Sequence, residues 1–492
     1  MEHRLDQWSV SLYKLEVQEN GPPPCVILYL IASWRAATAW VECESGGICP
    51  DGNTCCEKTA TATVSTKKHH GSVCISGSVG DIGMCCNDEA VTGCHGGFTC
   101  ANGTAKENLT TSYYCERLDK TDYSLPNRVP RYTLCSVPGP VLQTIHGFSV
   151  VDSNPNKPKL AYLSTMGAID STSPDILNLH ARVQTVIIVV HGSSRNPDDY
   201  ICCTNAALPS SEQFPTNSTT MLIAPWFLAP RDNVTEVFNF DGSTSVPLYW
   251  FVDGPHYHTW RFGANALNAN LSSYTAMDTI VNHLVQDFLR FPLLERIIVA
   301  GHSAGGQLVH RWAVLSGSHA FAASLQHNFR SRPVAIRVVV ANPKSYCYLD
   351  GRRFIDGEFR LLVQDEKAEC LPYNEWQWGL DDGPFLSIPY RDEAFALAGG
   401  RAKVVARYAM RDVVYLSGEL DILPNGNCMA QLQGAYRKER SERYFASLKK
   451  IYGWQPHRRL VVSQVHHDHC LIFQSPEGHR AFFESYEQSY IL

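Results

Sequence analysis

Several things are missing from this sequence, and each absence removes a class of protein. No apolar run approaches the ~20 residues that a membrane-spanning helix needs; Cys25–Ala32 (CVILYLIA) stops far short. There is no basic tail or block. Lys and Arg number 42 against 48 Asp and Glu, a formal net charge of -6, so nothing here asks for nucleic acid. No Cys-x-x-Cys pair occurs, which removes the commonest zinc-module spacing. Charged residues make up only 18% and hydrophobic ones 44% of the 492 residues, enough for a sizeable core divided over two or three domains.

What is present in excess is cysteine. Of 18 in all, ten fall between Cys43 and Cys115: Cys43, Cys49, Cys55, Cys56, Cys74, Cys85, Cys86, Cys94, Cys100 and Cys115. A segment so rich in cysteine and poor in apolar residues reads as a disulfide scaffold from an oxidising compartment. Sequons at Asn102, Asn108, Asn217, Asn233 and Asn270 fit export. So does the start of the chain. The run Cys25–Ala32 followed by Ala37 and Ala39 is similar to a signal region with its small-residue cleavage site, giving residues 1–39 that role. His69 and His70, after Lys67 and Lys68, read as a solvated loop.

Inside the cysteine-rich segment, CPDGNTC (Cys49–Cys55) and CHGGFTC (Cys94–Cys100) share the pattern C-x-x-G-x-T-C. Glycine between close cysteines permits the tight turns of stacked, bridged hairpins. With CCND at Cys85–Asp88, these residues resemble a granulin-type module, expected over residues 40–118. A polar, proline-bearing stretch, residues 119–140, reads as a linker.

From residue 141 to 492 the texture changes. Short β-branched runs alternate with helical patterns: Val183–Val190, Met221–Pro225, Arg296–Ala300, Ala335–Ala341, Val413–Gly418 and Arg459–Val465. Their near-continuous apolarity suits strands buried on both faces of a mostly parallel sheet flanked by helices, an α/β architecture. Ser272–Arg290 reads as an amphipathic helix with a serine cap.

One of these runs ends in GHSAGG, with Ser303 between Gly301 and Gly305. A serine on a sharp strand-to-helix turn needs tiny neighbours, and Gly301, Ala304, Gly305 and Gly306 supply them. By chance G-x-S-x-G arises about 0.15 times in such a chain; with a strand before it and a helix after, it is a nucleophile elbow. Residues 141–492 therefore resemble the α/β-hydrolase superfamily, which implies a Ser, Asp or Glu, His order along the chain.

The expected acid is Asp421 in YLSGELDILP, with Glu419 and Asp412 as alternatives. HHDHC offers His466, His467 and His469, and the family's turn after the last strand points to His467 as base. The resemblance gives the oxyanion amides to Ala304 and, from the loop HGSSRNPDDY, to Ser193. A zinc reading of HHDH leaves the elbow unexplained. The aromatic stretch Phe238–Trp260, with Tyr249, Trp250, Tyr257 and Trp260, and NEWQWGLDDGP (Asn374–Pro384) suit equally a substrate pocket or a packed core.

The resulting expectation is a secreted serine esterase with no metal or organic cofactor. Its substrate would be a small or polymeric ester, and the cysteine-rich module could hold an extracellular partner. A peptidase or acyltransferase on the same fold, or a non-catalytic extracellular binding protein, are the alternatives. Mass spectrometry of the non-reduced protein should find all ten cysteines from Cys43 to Cys115 oxidised; free thiols binding zinc there would overturn the scaffold.

Overall fold

The structure, a computed structural model, describes residues 145–150, 158–213, 218–232, 246–251, 259–324, 333–383, 389–422 and 427–484, and the backbone of short strands between Ile27 and Arg117. The chain divides into two compact units, Met1–Leu118 with Asn425–Asn427, and Asp119–Pro424 with Cys428–Leu492. In the first, Asn53–Thr59 pairs antiparallel with Lys68–Ser76, which sets Cys55 opposite Cys74. Phe98–Thr104 pairs likewise with Thr111–Arg117, setting Cys100 opposite Cys115. The disulfides expected of a granulin-like module, the linker 119–140, Asn108, Asn217, Asn233, Tyr257 and the side chain of Asn102 lie outside the described residues. So does most of the expected signal region.

The second unit is built on eight strands: β1 (His146–Phe148), β2 (Leu160–Ser164), β3 (Thr185–Val190), β4 (Thr220–Trp226), β5 (Arg296–His302), β6 (Ala335–Ala341), β7 (Asp412–Gly418) and β8 (Arg458–Val462). They lie in the order β1-β2-β4-β3-β5-β6-β7-β8. From β4 to β8 every pairing is parallel; β2 runs antiparallel to both β1 and β4.

The alternation along the strands explains why both faces must be covered. Val186, Ile188 and Val190 enter one core cluster, Ile187 and Val189 the other. In β5 Ile297 and Val299 face one way, Ile298 and Ala300 the other, and all four are fully buried. Each such aliphatic side chain contributes about 1.5–3 kcal/mol of burial. Helix α2 (Ser273–Gln286) covers one face with Tyr274, Met277, Ile280, Val281 and Leu284. Its Ser272 cap accepts a hydrogen bond from Tyr274 N at 3.1 Å. The helix expected to reach Arg290 thus stops at Gln286. Helix α3 (Ala304–Leu315) is buried all round, and its interior polar groups are satisfied. Arg311 donates to Gln377 O, Gln307 O and Ser345 Oγ at 3.0–3.1 Å.

The expected strands recur within a few residues of their predicted ends. Val183–Val190 narrows to Thr185–Val190, and Arg459–Val465 ends at Val462 because the chain turns away to form a loop. β1 and β2, which are short, and the hairpin Arg352–Ile355 with Glu358–Leu361 left no signal in the sequence. Among the described residues no helix is long and apolar enough to cross a membrane. Cys203–Cys470 and Cys370–Cys428 are disulfides, Cys202 is also disulfide-bonded, and Cys347 is a buried free thiol.

Four of the ambiguous aromatics, all tryptophans, are packed. Trp250 and Trp260 are buried in the main core, where Phe227 stacks on Trp260 at 5.1 Å and meets Trp250 edge-on at 5.2 Å. Trp376 and Trp378 are buried as well, the former donating to Phe262 O at 2.9 Å. Trp250→Ala should therefore cost about 3–5 kcal/mol of stability, measured by urea denaturation. A stable variant with only altered substrate preference would contradict the packing role.

Candidate active site

Loops leaving the C-terminal ends of β3, β5, β6, β7 and β8 gather the candidate residues at one edge of the sheet, where parallel sheets collect their chemistry. Ser303 follows β5 directly. Its backbone has φ 57° and ψ -116°, a conformation that costs a non-glycine residue about 1–3 kcal/mol. Two bonds hold it there: Ser303 N donates to Ala341 O and Gln307 N to Ser303 O, both at 3.0 Å. Gly305 lies where a Cβ would come within 2.2 Å of Val190 O, and one on Gly301 would meet the Gly305 backbone at 2.5 Å. Side chains at either position would push the turn off the sheet. Ala304 opens helix α3, almost fully buried, with its amide at the helix N-terminus, where a developing anion is favoured.

The structure brings Asp421 and His467 together, with Nδ1 of His467 donating to Asp421 Oδ2 at 2.7 Å. Asp421 is 1% exposed. The same oxygen accepts from Asn342 Nδ2 at 2.7 Å, while Arg437 Nη1 lies 3.6 Å from Oδ1. Burial alone would raise this carboxyl. The charges of His467 and Arg437 and the two hydrogen bonds outweigh it, and hold the group well below the usual carboxylate range. Glu419, the first alternative, is bound instead by Ser463 Oγ and Gln464 N. Asp412 sits at the opposite end of β7, paired with Arg337 at 2.6 Å. That end of the strand lies away from the edge where the serine emerges.

The three histidines separate in the same way. His466 is exposed, with Nδ1 3.1 Å from Leu420 O. His469 stacks on Tyr200 with ring centroids 4.0 Å apart, its Nε2 3.5 Å from Asp199 Oδ2. Only His467 reaches Asp421 among the three.

The loop after β3 lies beside the serine: a Cβ on Gly192 would be 3.8 Å from that of Ser303. His191 fixes this loop. Its Nε2 accepts from Phe227 N at 3.0 Å, so Nδ1 carries the proton and donates to Gly192 O at 2.7 Å. The Ser193 carbonyl accepts from Arg195 Nη1 at 3.1 Å, and Arg195 is itself held by both carboxylate oxygens of Asp232 at 2.6 Å.

Asp199, Cys203, His469 and Cys470 bring metal-type donor atoms within 4.8 Å of one another. The two sulfurs are joined in a disulfide. One imidazole and one carboxylate remain, fewer than the three or four protein ligands zinc takes. Asn270 is exposed, its side-chain oxygen accepting from Asn265 Nδ2 at 2.5 Å.

Sequence reasoning missed four residues around this site: Asn342, Arg437, His302 and Tyr200. Asn342 left a trace, as a polar residue closing the buried run Ala335–Ala341, and its φ of 43° suits asparagine. The others had none, since their roles come from tertiary neighbours.

No family model matches the sequence, and no curated protein matches it. Among solved structures the chain is similar to LpqC, a poly(3-hydroxybutyrate) depolymerase from Bordetella parapertussis, at 18% identity. That match covers 65% of this chain and 82% of that one, with a TM-score of 0.36. Poly(aspartic acid) hydrolase-1 from Sphingomonas sp. KT-1 aligns at 16% identity over 67% and 96%, TM-score 0.39. The siderophore hydrolase EstA from Aspergillus nidulans aligns at 12% over 63% and 84%, TM-score 0.30. Likeness this loose says nothing of the reaction.

A depressed folded pKa makes Asp421 a source of stability that is present above the unfolded carboxylate value, about 3.9. It is lost as pH falls toward the folded value. Asp421→Asn should therefore cost about 3 kcal/mol at pH 7, and the gap to wild type should narrow at pH 3, measured by urea denaturation at both. A gap independent of pH would mean the carboxylate is not held ionised.

Proposed function

We propose that this chain is a secreted serine hydrolase cleaving a carboxylic ester through an acyl-enzyme, with Ser303 as nucleophile, His467 as base and Asp421 as orienting acid. The observation that carries the reading is the 2.7 Å bond between His467 and a buried, ionised Asp421 at the sheet edge where a serine is held at positive φ. Strain of that kind persists only where the surroundings enforce it, and a protein using the fold for binding alone has no need of it.

In the reaction, Ser303 Oγ attacks the ester carbonyl while His467 Nε2 takes its proton. The Nδ1–H bond to Asp421 keeps the ring in the tautomer that leaves Nε2 free to accept, and the carboxylate stabilises the imidazolium. Amides of Ala304 and Ser193 would receive the oxyanion. His467 then protonates the departing alcohol, and water, activated by the same ring, releases the acid and restores Ser303. These steps need no metal or organic cofactor. The disulfides in the described residues support an oxidising compartment. A peptidase or acyltransferase would use the same groups and differ only in leaving group or acceptor.

A fluorophosphonate probe should label wild type and leave Ser303→Ala unlabelled. Ser303→Ala and His467→Ala should each lower kcat by a factor of about 10⁴ or more, whereas His466→Ala keeps most of it. Full labelling of Ser303→Ala would sink the mechanism. A screen of esters graded in acyl length beside peptide substrates separates esterase from peptidase.

A further inference from the structure

Helix α1 (Pro197–Ala206) begins directly after the loop that carries Gly192 and Ser193. Asp199, Tyr200 and Cys203 all point from it toward one target, the segment that follows His467. Asp199 Oδ2 lies 3.5 Å from His469 Nε2, Tyr200 stacks on the His469 ring at 4.0 Å and an interplanar angle of 10°, and Cys203 is bonded to Cys470. The Tyr200 hydroxyl turns the other way. It lies 3.2 Å from His302 Nδ1 and packs so closely under Gly192 that a Cβ there would meet it at 2.7 Å. His302 precedes Ser303 in the chain, and its ring lies 4.4 Å from that of His467. Burial, with the charges of His467, His469 and Arg437 adding to it, keeps this imidazole far below the usual histidine range, so it packs as a neutral ring.

Tyr200 therefore touches all three segments that the proposed reaction depends on: the loop after β3 at Gly192, the end of β5 beside the nucleophile at His302, and the base loop at His469. We propose that Tyr200 is a positioning residue, and that together with the Cys203–Cys470 disulfide it clamps the base loop against the serine and the oxyanion loop. The proposal rests on the hydrolase reading above. It also gives His469, one of the sequence's candidate bases, a different task, as the surface on which Tyr200 holds the base loop. The stacked ring sets where that loop lies. The hydroxyl sets how His302, and through it the face of His467, is presented to Ser303. Substrate binding does not pass through these contacts, so their loss should appear in turnover rather than in substrate affinity.

The test uses the full chain with short-chain p-nitrophenyl esters, the fluorophosphonate probe and thermal unfolding. Tyr200→Phe keeps the stack and loses one hydrogen bond; kcat should fall about threefold with KM unchanged. Tyr200→Ala loses both contacts and should lower kcat by about tenfold or more, again with KM unchanged. The phenylalanine variant should thus keep about three times the kcat of the alanine variant. Cys203→Ala with Cys470→Ala should slow labelling of Ser303 and lower kcat at unchanged KM. If Tyr200→Ala fails to fold, Tyr200→Phe decides alone. Wild-type kcat in a folded Tyr200 variant, or a loss confined to KM, overturns the positioning role. Wild-type kcat in the cysteine double variant removes the disulfide from the clamp. A wild-type chain that neither takes the label nor hydrolyses the esters overturns the hydrolase reading and this one with it, whereas an active wild type with indifferent variants overturns only the clamp.

Discussion

The close approach of the turn after β5 to its two neighbouring strands constrains everything else at this site. Ser303 is held at φ 57° by a hydrogen bond to Ala341 of β6, while the Gly305 backbone presses on Val190 of β3. The two contacts together need a strand on either side of β5. The strand order puts β5 between β3 and β6, and the parallel register carries all three to the same end. The strain at the serine, about 1–3 kcal/mol, is offset by a strand and a helix buried on every side. Fold and site are thus one arrangement: the sheet centre is the only place where such a turn can be over-determined.

Electrostatics then sorts the charged groups around that turn. Asp421 has lost its water, and four partners replace it unevenly. Asn342 and His467 bond one oxygen; Arg437 faces the other; the backbone of Asp421 receives Lys438 N at 3.2 Å. Arg437 offsets the buried negative charge without reaching hydrogen-bond distance. It stabilises the carboxylate yet leaves the two 2.7 Å bonds from Asn342 and His467 as the directional ones. The neutral His302 ring beside His467 fills space without adding a second charge.

Much of this was legible in the sequence, for identifiable reasons. Strands buried on both faces announce themselves as β-branched runs, and the elbow announces itself because only small residues tolerate its geometry. Asp421 and His467 could be placed because each follows a recognisable strand within a few residues. The rest was hidden because its information is not local. Nothing near Tyr200 in the chain indicates that it stacks on His469, 269 positions on by their numbers. Trp250 and Trp260 carry the same side chain whether they line a pocket or fill a core, and only the ring contacts with Phe227 decide it. β1 and β2 escaped because a strand of three to five residues at a sheet margin has too little pattern to stand out.

Cys203–Cys470 and Cys370–Cys428, the disulfides with both cysteines described, act on different problems. Cys370–Cys428 closes a separation of 58 residues beside a small satellite cluster of Leu362, Cys370 and Tyr373, where little apolar surface is available to hold the chain. Cys203–Cys470 closes 267 residues, and by loop entropy alone it could disfavour the unfolded chain by up to about 5 kcal/mol. The sheet does not need a bond at that point for its own cohesion, since Ile472 and Phe473, just beyond Cys470, are already fully buried in the core. The exposed part of that segment is its start, where Ser463, Gln464 and His466 face solvent before His467. That start is held by polar contacts to the neighbouring loop, from Ser463 Oγ and Gln464 N to Glu419 and from Leu420 N to Val465 O. The Cys203–Cys470 bond and the His469 stack add packed anchors on the other side of His467, close to the ring that bonds Asp421.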